Sequence, residues 1–129
     1  MSKSYKPTEA ELEILQILWE QGPSSVRQVN EYLKAVKQIE IGYTTTLKTM
    51  QIMLDKKLLK RDTSTRTHIY DASVAEQATK KKLLDNFLKS TFKGSASQLV
   101  MEALGNHSAS EEELEAIKAL INKIEKDKK

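Results

Sequence analysis

Between Gly42 and Lys57 the side chains able to make polar contacts are mostly hydroxyls and ammonium groups. At helical spacing Thr45, Lys48, Thr49, Ile52 and Lys56 fall on one side, with Asp55 at its margin. That side holds hydroxyls, cations and a single apolar side chain, and no carboxylate. Such a face suits the major groove of a nucleic acid. Lys and Thr can donate to phosphate oxygens or base edges, and Ile52 can meet a thymine methyl. A solvated amphipathic helix would carry the same face, so the helix alone does not decide between the two. Its other side carries Tyr43, Leu47, Met50 and Leu54 at i, i+4, i+7 and i+11, a stripe for packing.

Charge placement favours the nucleic acid. The chain of 129 residues has a net charge of only +3. Residues 42–70, however, hold Lys48, Lys56, Lys57, Lys60, Arg61 and Arg66 against Asp55 and Asp62. A basic segment in a nearly balanced chain is a local footprint for phosphate. Catalysis finds no comparable support. Ser, His and Asp are scattered, and no G-x-S-x-G occurs. Glu111, Glu112, Glu113 and Glu115 suit the first turn of a helix, where acids offset the dipole. There is no cysteine, and His68 and His107 are the only histidines, so no metal or other cofactor is expected. No apolar run reaches the length of a membrane span, and Met1–Lys6 has no signal core. The expected location is the cytoplasm, without membrane insertion.

The elements that must position this face follow from caps and periods. Hydrophobic content of 39% with 30% charged residues fits a small, helix-rich domain, alone or with an appendage. Thr8 with Glu11 forms a capping box for a first helix, whose apolar face is Leu12, Ile14, Leu15, Leu18 and Trp19 and which Gly22-Pro23 ends. Ser25 with Gln28 opens a second, with Val26, Val29, Leu33 and Val36 as its stripe. Trp19, Tyr32 and Tyr43 lie on these stripes and are expected in the core. The segment from Gly42 is the third helix. After it the period changes, and 58–62 and 67–71 flank a polar tip, 63–66, as a β-hairpin. Three helices and a hairpin make a winged helix-turn-helix, with the third helix in the major groove and Arg66 on the wing.

Three more helices follow. Ser73 with Glu76 is expected to cap the first of them, Ser95 with Gln98 the second, and Ser110 with Glu113 the third. Gly94 ends the first, and Gly105-Asn106 is expected to break the second. The fold class is therefore mainly α, or α+β. It divides into a winged-helix domain over 1–72 and a helical region over 73–129. The apolar residues of that region are Leu84, Phe87, Leu88, Phe92, Leu99, Val100, Leu104, Leu114, Ile117, Leu120, Ile121 and Ile124. A thin three-helix layer cannot bury them all. They either cover the winged domain or, as is favoured here, pair with a second copy in a homodimer.

These residues resemble a known family, the penicillinase and methicillin-resistance repressors of bacteria. The match begins with Thr8-Glu9-Ala10-Glu11-Leu12-Glu13-Ile14-Leu15, Leu18-Trp19-Glu20 and Gly22-Pro23. It continues through Tyr43-Thr44-Thr45 and Leu54-Asp55-Lys56-Lys57-Leu58-Leu59-Lys60-Arg61. Arg66-Thr67-His68-Ile69-Tyr70 looks like the family's Gly-Arg-Ala-x-x-Tyr, and Leu99-Val100 and the acidic start of the last helix also fit. The resemblance implies a dimeric repressor of a β-lactamase operon or other genes, relieved in several members by proteolysis downstream of a membrane sensor. It places DNA contacts at Thr44, Thr45, Thr46, Lys48, Thr49 and Arg66. With Tyr43, Ile52, Lys60 and Arg61 these form the expected DNA-binding set. The family's cleavable Asn-Phe pair falls here at Glu102-Ala103, and the C-terminal cysteines of copper-responsive relatives are absent. The expected function is thus a sequence-specific repressor of double-stranded operator DNA. Its rivals are a winged-helix regulator that senses a small molecule and a protein-interaction adaptor that binds no DNA.

Overall fold

In the computed structural model, which describes residues 6–128, the first two helices begin where their caps dictate. Thr8 Oγ1 accepts from the Glu11 backbone N–H at 3.2 Å, and the Glu11 carboxylate accepts from Thr8 N–H at 2.9 Å. This box opens α1 (Glu9–Gln21). Ser25 and Gln28 repeat it at the start of α2 (Val26–Lys37). Gly22 ends α1 with φ of +83°, a conformation that L side chains rarely adopt. Past Gln38 in the left-handed region, α3 spans Tyr43–Asp55.

The hairpin is β1 (Leu59–Asp62) against β2 (Ile69–Ala72), antiparallel, with Leu59 opposite Ala72 and Asp62 opposite Ile69. Its tip is longer than the sequence suggests, because Thr67 and His68 leave the strand and join it. No tight-turn pair closes this tip. Instead Asp62 Oδ1 accepts from Ser64 N–H at 2.9 Å, and the Thr65 hydroxyl donates to the Thr67 carbonyl at 2.7 Å. The far edge of β2 is also bonded. Ser24 and Tyr70 exchange backbone hydrogen bonds of 2.9 and 2.8 Å, which ties the wing to the α1–α2 connection.

One core serves all of these elements. Ile14, Leu15 and Leu18 of α1, Val29 and Leu33 of α2, Met50 and Met53 of α3, and Leu58, Leu59 and Tyr70 around the hairpin are buried together. Two expectations about it fail. Val36 is 74% exposed, and Tyr32 and Tyr43 are also open to solvent. The inward side of α2 is Val26, Val29, Asn30 and Leu33, and at 3.6 residues per turn that centring moves Tyr32 and Val36 off the buried face. Tyr43 opens α3, whose buried residues begin only at Thr46.

α4 (Glu76–Phe92) begins without the expected capping box. Ser73 is held elsewhere, its hydroxyl donating to the Lys57 carbonyl at 2.6 Å and its N–H to that of Leu58 at 2.9 Å. Trp19 Nε1–H donates to the Val74 carbonyl at 3.0 Å, and Lys80 lies 6.0 Å over the Trp19 ring. The sequence-based division at 72/73 coincides with the end of β2. Packing divides the chain further on, inside α4, into one compact unit ending at Leu83 and another starting at Leu84. In the second unit Gly94 N–H donates to the Leu88 carbonyl at 2.8 Å, and Ser95 caps α5 (Ala96–Asn106). α5 runs through Gly105 rather than breaking there, and Asn106 bonds back to Glu102. Ser110 and Glu113 form the expected box at the start of α6 (Glu111–Asp127). None of α4, α5 and α6 contains a fully buried residue.

One ion pair ties α1 to the end of α3. Glu11 is only 3% exposed, and its Oε2 lies 2.8 Å from Lys56 Nζ. Burial alone raises a carboxyl pKa, but the bonds from Lys56 and Thr8 outweigh it and hold Glu11 below 4.5. A lowered carboxylate stabilises the fold above its unfolded pKa, and that contribution is lost as pH falls through the folded value. Glu11→Gln keeps the cap but loses the charge. It should lower stability at pH 7 by about 1–2 kcal/mol and flatten the loss of stability below pH 4.5. Urea denaturation of both proteins at several pH values checks this, and parallel acid limbs would refute it.

Candidate nucleic-acid interface

Asn30 sets which side of α3 faces outward. Its Nδ2 donates to Thr46 Oγ1 at 2.8 Å and to the Ile41 carbonyl at 3.0 Å, which couples α2, the connecting turn and α3. Thr46 is consequently 2% exposed and facing the core. It is not available to DNA, contrary to its place in the expected contact set. A buried Asn amide needs acceptors, and a threonine hydroxyl at this position supplies one.

The outward side carries Thr44, Lys48, Gln51, Ile52 and Asp55, with Thr45 on its flank, all exposed. Ile52 is 42% exposed, so it is not packed away beneath the hairpin. Thr49 is half-buried, and its hydroxyl donates to the Thr45 carbonyl at 3.1 Å. Lys56, expected on this face, is turned to Glu11. The buried residues Thr46, Met50 and Met53 account for the difference, because the inward side centres on them rather than on the Tyr43–Leu54 stripe. Gln51 was missed in the sequence, although its place three residues after Lys48 follows once that centring is known.

On the wing, Lys60 and Arg61 of β1 and Arg66 of the tip are exposed. Lys60 stands opposite Asp71 and Arg61 opposite Tyr70, so the two basic side chains leave opposite faces of the strand. Among the described residues no ion pair involves Lys48, Lys60, Arg61 or Arg66. Asp62 is held below its ordinary range by hydrogen bonds from Ser64, and it stays ionised beside them. A cleft of about 460 Å³ lies between the wing and the two helix starts, lined by Ser25, Val26 and Arg27, by Tyr43 and Leu47, and by Arg66, Thr67, His68 and Tyr70. The Arg27 guanidinium sits 5.4 Å over the Tyr43 ring. Arg27 carries no signal in the sequence, since it stands in the first turn of α2, outside the basic segment.

In the second unit Leu84, Phe87, Val100, Leu104, Leu114, Leu120, Ile121 and Ile124 are exposed, and so is Met101. Leu88, Phe92, Leu99 and Ile117 are half-buried, with Phe87 and Phe92 edge to face at 5.7 Å. Glu102 and Ala103 lie inside α5, both exposed, and the Glu102 carboxylate accepts from Asn106 at 2.8 Å. Among the described residues no cluster of His, Asp and Glu could hold a metal ion, and no helix is long and apolar enough to cross a membrane.

Three helices and a hairpin, with the third helix presenting an exposed polar side, define a winged helix-turn-helix. The family model for the penicillinase repressor matches residues 7–123, and the chain belongs to that family. Similar proteins include the methicillin resistance regulatory protein MecI of Staphylococcus aureus (strain N315), 26% identical over 95% of this chain and 98% of its own length. The penicillinase repressor of Staphylococcus aureus is 26% identical over 97% of this chain and 98% of its own. That of Bacillus licheniformis is 25% identical, covering 100% of this chain and 99% of its own.

Thr46→Val keeps the volume of the side chain but leaves the Asn30 amide short of an acceptor. It should lower stability by about 1–3 kcal/mol, measured by chemical denaturation. An unchanged midpoint would mean that the Asn30 bond does not hold α3.

Proposed function

We propose that this chain is a transcriptional repressor that binds a palindromic DNA operator as a homodimer, acts in the bacterial cytoplasm and catalyses no reaction. The observation that carries the reading is the exposed side of α3, with Thr44, Thr45, Lys48 and Ile52 and, on the same compact unit, Lys60, Arg61 and Arg66, which pair with no acid among the described residues. Cations not neutralised within the fold are free to replace counterions on phosphate. α3 would lie in the major groove, Lys48 and Gln51 reaching base edges and Ile52 a thymine methyl, while Arg66 meets the backbone. Thr49, with its hydroxyl bonded internally, would take part as an acceptor or by contact.

Binding of DNA selected from a random pool tests this. Lys48→Ala should weaken the selected sequence by roughly 1–3 kcal/mol, and Ile52→Ala should relax preference at one A·T pair without loss of melting temperature. Arg66→Ala should weaken selected and random DNA alike and reduce the salt dependence. If all three variants bind both DNAs like the parent, the reading surface is wrong.

Dimerisation is supported by the second unit, whose helices expose Leu84, Phe87, Leu104, Ile121 and Ile124 and bury no side chain fully. Pairing two copies would make the second half-site contact effectively intramolecular, a gain of roughly 10²–10⁴ in affinity. Ile121→Glu in the full chain should therefore yield a monomer by analytical ultracentrifugation and lose operator affinity by about that range. A parent that is monomeric at micromolar concentration would overturn this. Control by a membrane sensor's protease circuit would have to act on α5 if Glu102–Ala103 is the bond cut. That turn would first have to unwind, because a helical backbone does not fit an extended protease cleft.

A further inference from the structure

The cleft between the wing and the two helix starts holds two guanidinium groups from distant parts of the chain, Arg27 and Arg66, and no carboxylate lines it. Neither is ion-paired among the described residues. The first turns of α2 and α3 both open on it through Val26 and Tyr43. Backbone N–H groups in a first turn lack helical acceptors and carry the positive end of the dipole. Ser25 caps α2 by taking the N–H of Gln28, whereas Gly42 gives α3 no side-chain cap at all. Two cations and two helix starts thus surround one hollow of about 460 Å³, large enough for a phosphodiester and its sugar.

We propose that this cleft seats one backbone phosphate of the bound DNA, with Arg27 as its principal contact and Tyr43 as the residue that positions Arg27. The inference rests on the DNA-binding reading above and assigns Tyr43 a role different from base contact. A free arginine side chain samples many rotamers. With the guanidinium 5.4 Å over the Tyr43 ring it is held against the start of α3 while its N–H donors remain open at the edges. The ring does this work, and the phenol hydroxyl is not needed for it. Arg66 lines the same hollow from the wing, so the phosphate is held between α2 and the wing beside the start of the helix that reads the groove. Such a grip fixes register and carries no sequence information.

The test uses the full chain with a selected operator and a random duplex, followed by fluorescence anisotropy across a salt series, with circular dichroism as a check on folding. Arg27→Ala should weaken both duplexes by the same factor, roughly three- to tenfold, and reduce the slope of log K against log salt by about 0.9. Tyr43→Phe, which keeps the ring, should lose much less affinity than Tyr43→Ala. Tyr43→Ala should reproduce most of the Arg27→Ala loss, and the double variant should be no worse than Arg27→Ala alone. Parental affinity and slope in Arg27→Ala would overturn the proposal while leaving the DNA-binding reading intact. So would a loss confined to the operator, which marks base reading, or Tyr43→Phe as damaging as Tyr43→Ala. A parent that binds neither duplex would overturn both readings.

Discussion

The orientation of α3 depends on one buried amide. Asn30 bonds Thr46 on one side and the Ile41 carbonyl on the other, and it reaches both from the inward face of α2. An amide in an apolar core is stable only in the arrangement that satisfies it, so it specifies register where Leu or Met would tolerate rotation. Met50 and Met53 of the same helix fill the core, and they are the adaptable residues. Turning α3 by even a quarter turn would orphan Asn30 and carry Lys48 away from the surface centre. Every proposed contact of this helix follows from that constraint.

Charge is arranged by the same economy. Glu11, Glu13, Glu31 and Glu76 each pair with a lysine within the fold, and these acids belong to α1, α2 and α4. The acids of the 42–70 segment are too few to neutralise its cations. Exposed pairs such as Lys37–Glu13 contribute little to stability, and among the described residues Lys56 is the one cation of that segment that these acids neutralise. The result is a surface whose field is positive at modest net charge, suited to attracting a polyanion without holding the whole chain to it.

Much of this architecture is legible in the sequence because its signals are local. The boxes at Thr8, Ser25 and Ser110 involve residues three apart, and each forms as its pattern suggests. The hairpin follows from a change of period, although its longer tip depends on the side-chain bonds of Asp62 and Thr65. What the sequence hides is set by distant partners. Ser73 has the spacing of a cap but is captured by the Lys57 carbonyl, and Lys56 has the spacing of a surface cation but is captured by Glu11. Thr46 reads as a surface hydroxyl until Asn30, sixteen residues earlier, is known to face it. Arg27 becomes conspicuous only when the fold brings it over Tyr43.

The second unit poses the opposite problem, since its helices are well specified locally and poorly buried. Side-chain caps start α5 and α6, and dipole-matched charges flank α6, but each such device contributes only about 1 kcal/mol. Ordering the backbone costs on the order of 1–2 kcal/mol per residue. Packed helices in a stable domain recover that cost by burying apolar faces, and here Leu120, Ile121 and Ile124 of α6 remain open. In the proposed dimer the same surface closes the core of this unit and joins the two winged domains. Folding of the unit and association would then be one equilibrium, so that its helicity depends on protein concentration. An interruption anywhere in α5 would act on both at once. That coupling makes the appendage, rather than the DNA-reading surface, the natural place for a repressor of this build to be switched.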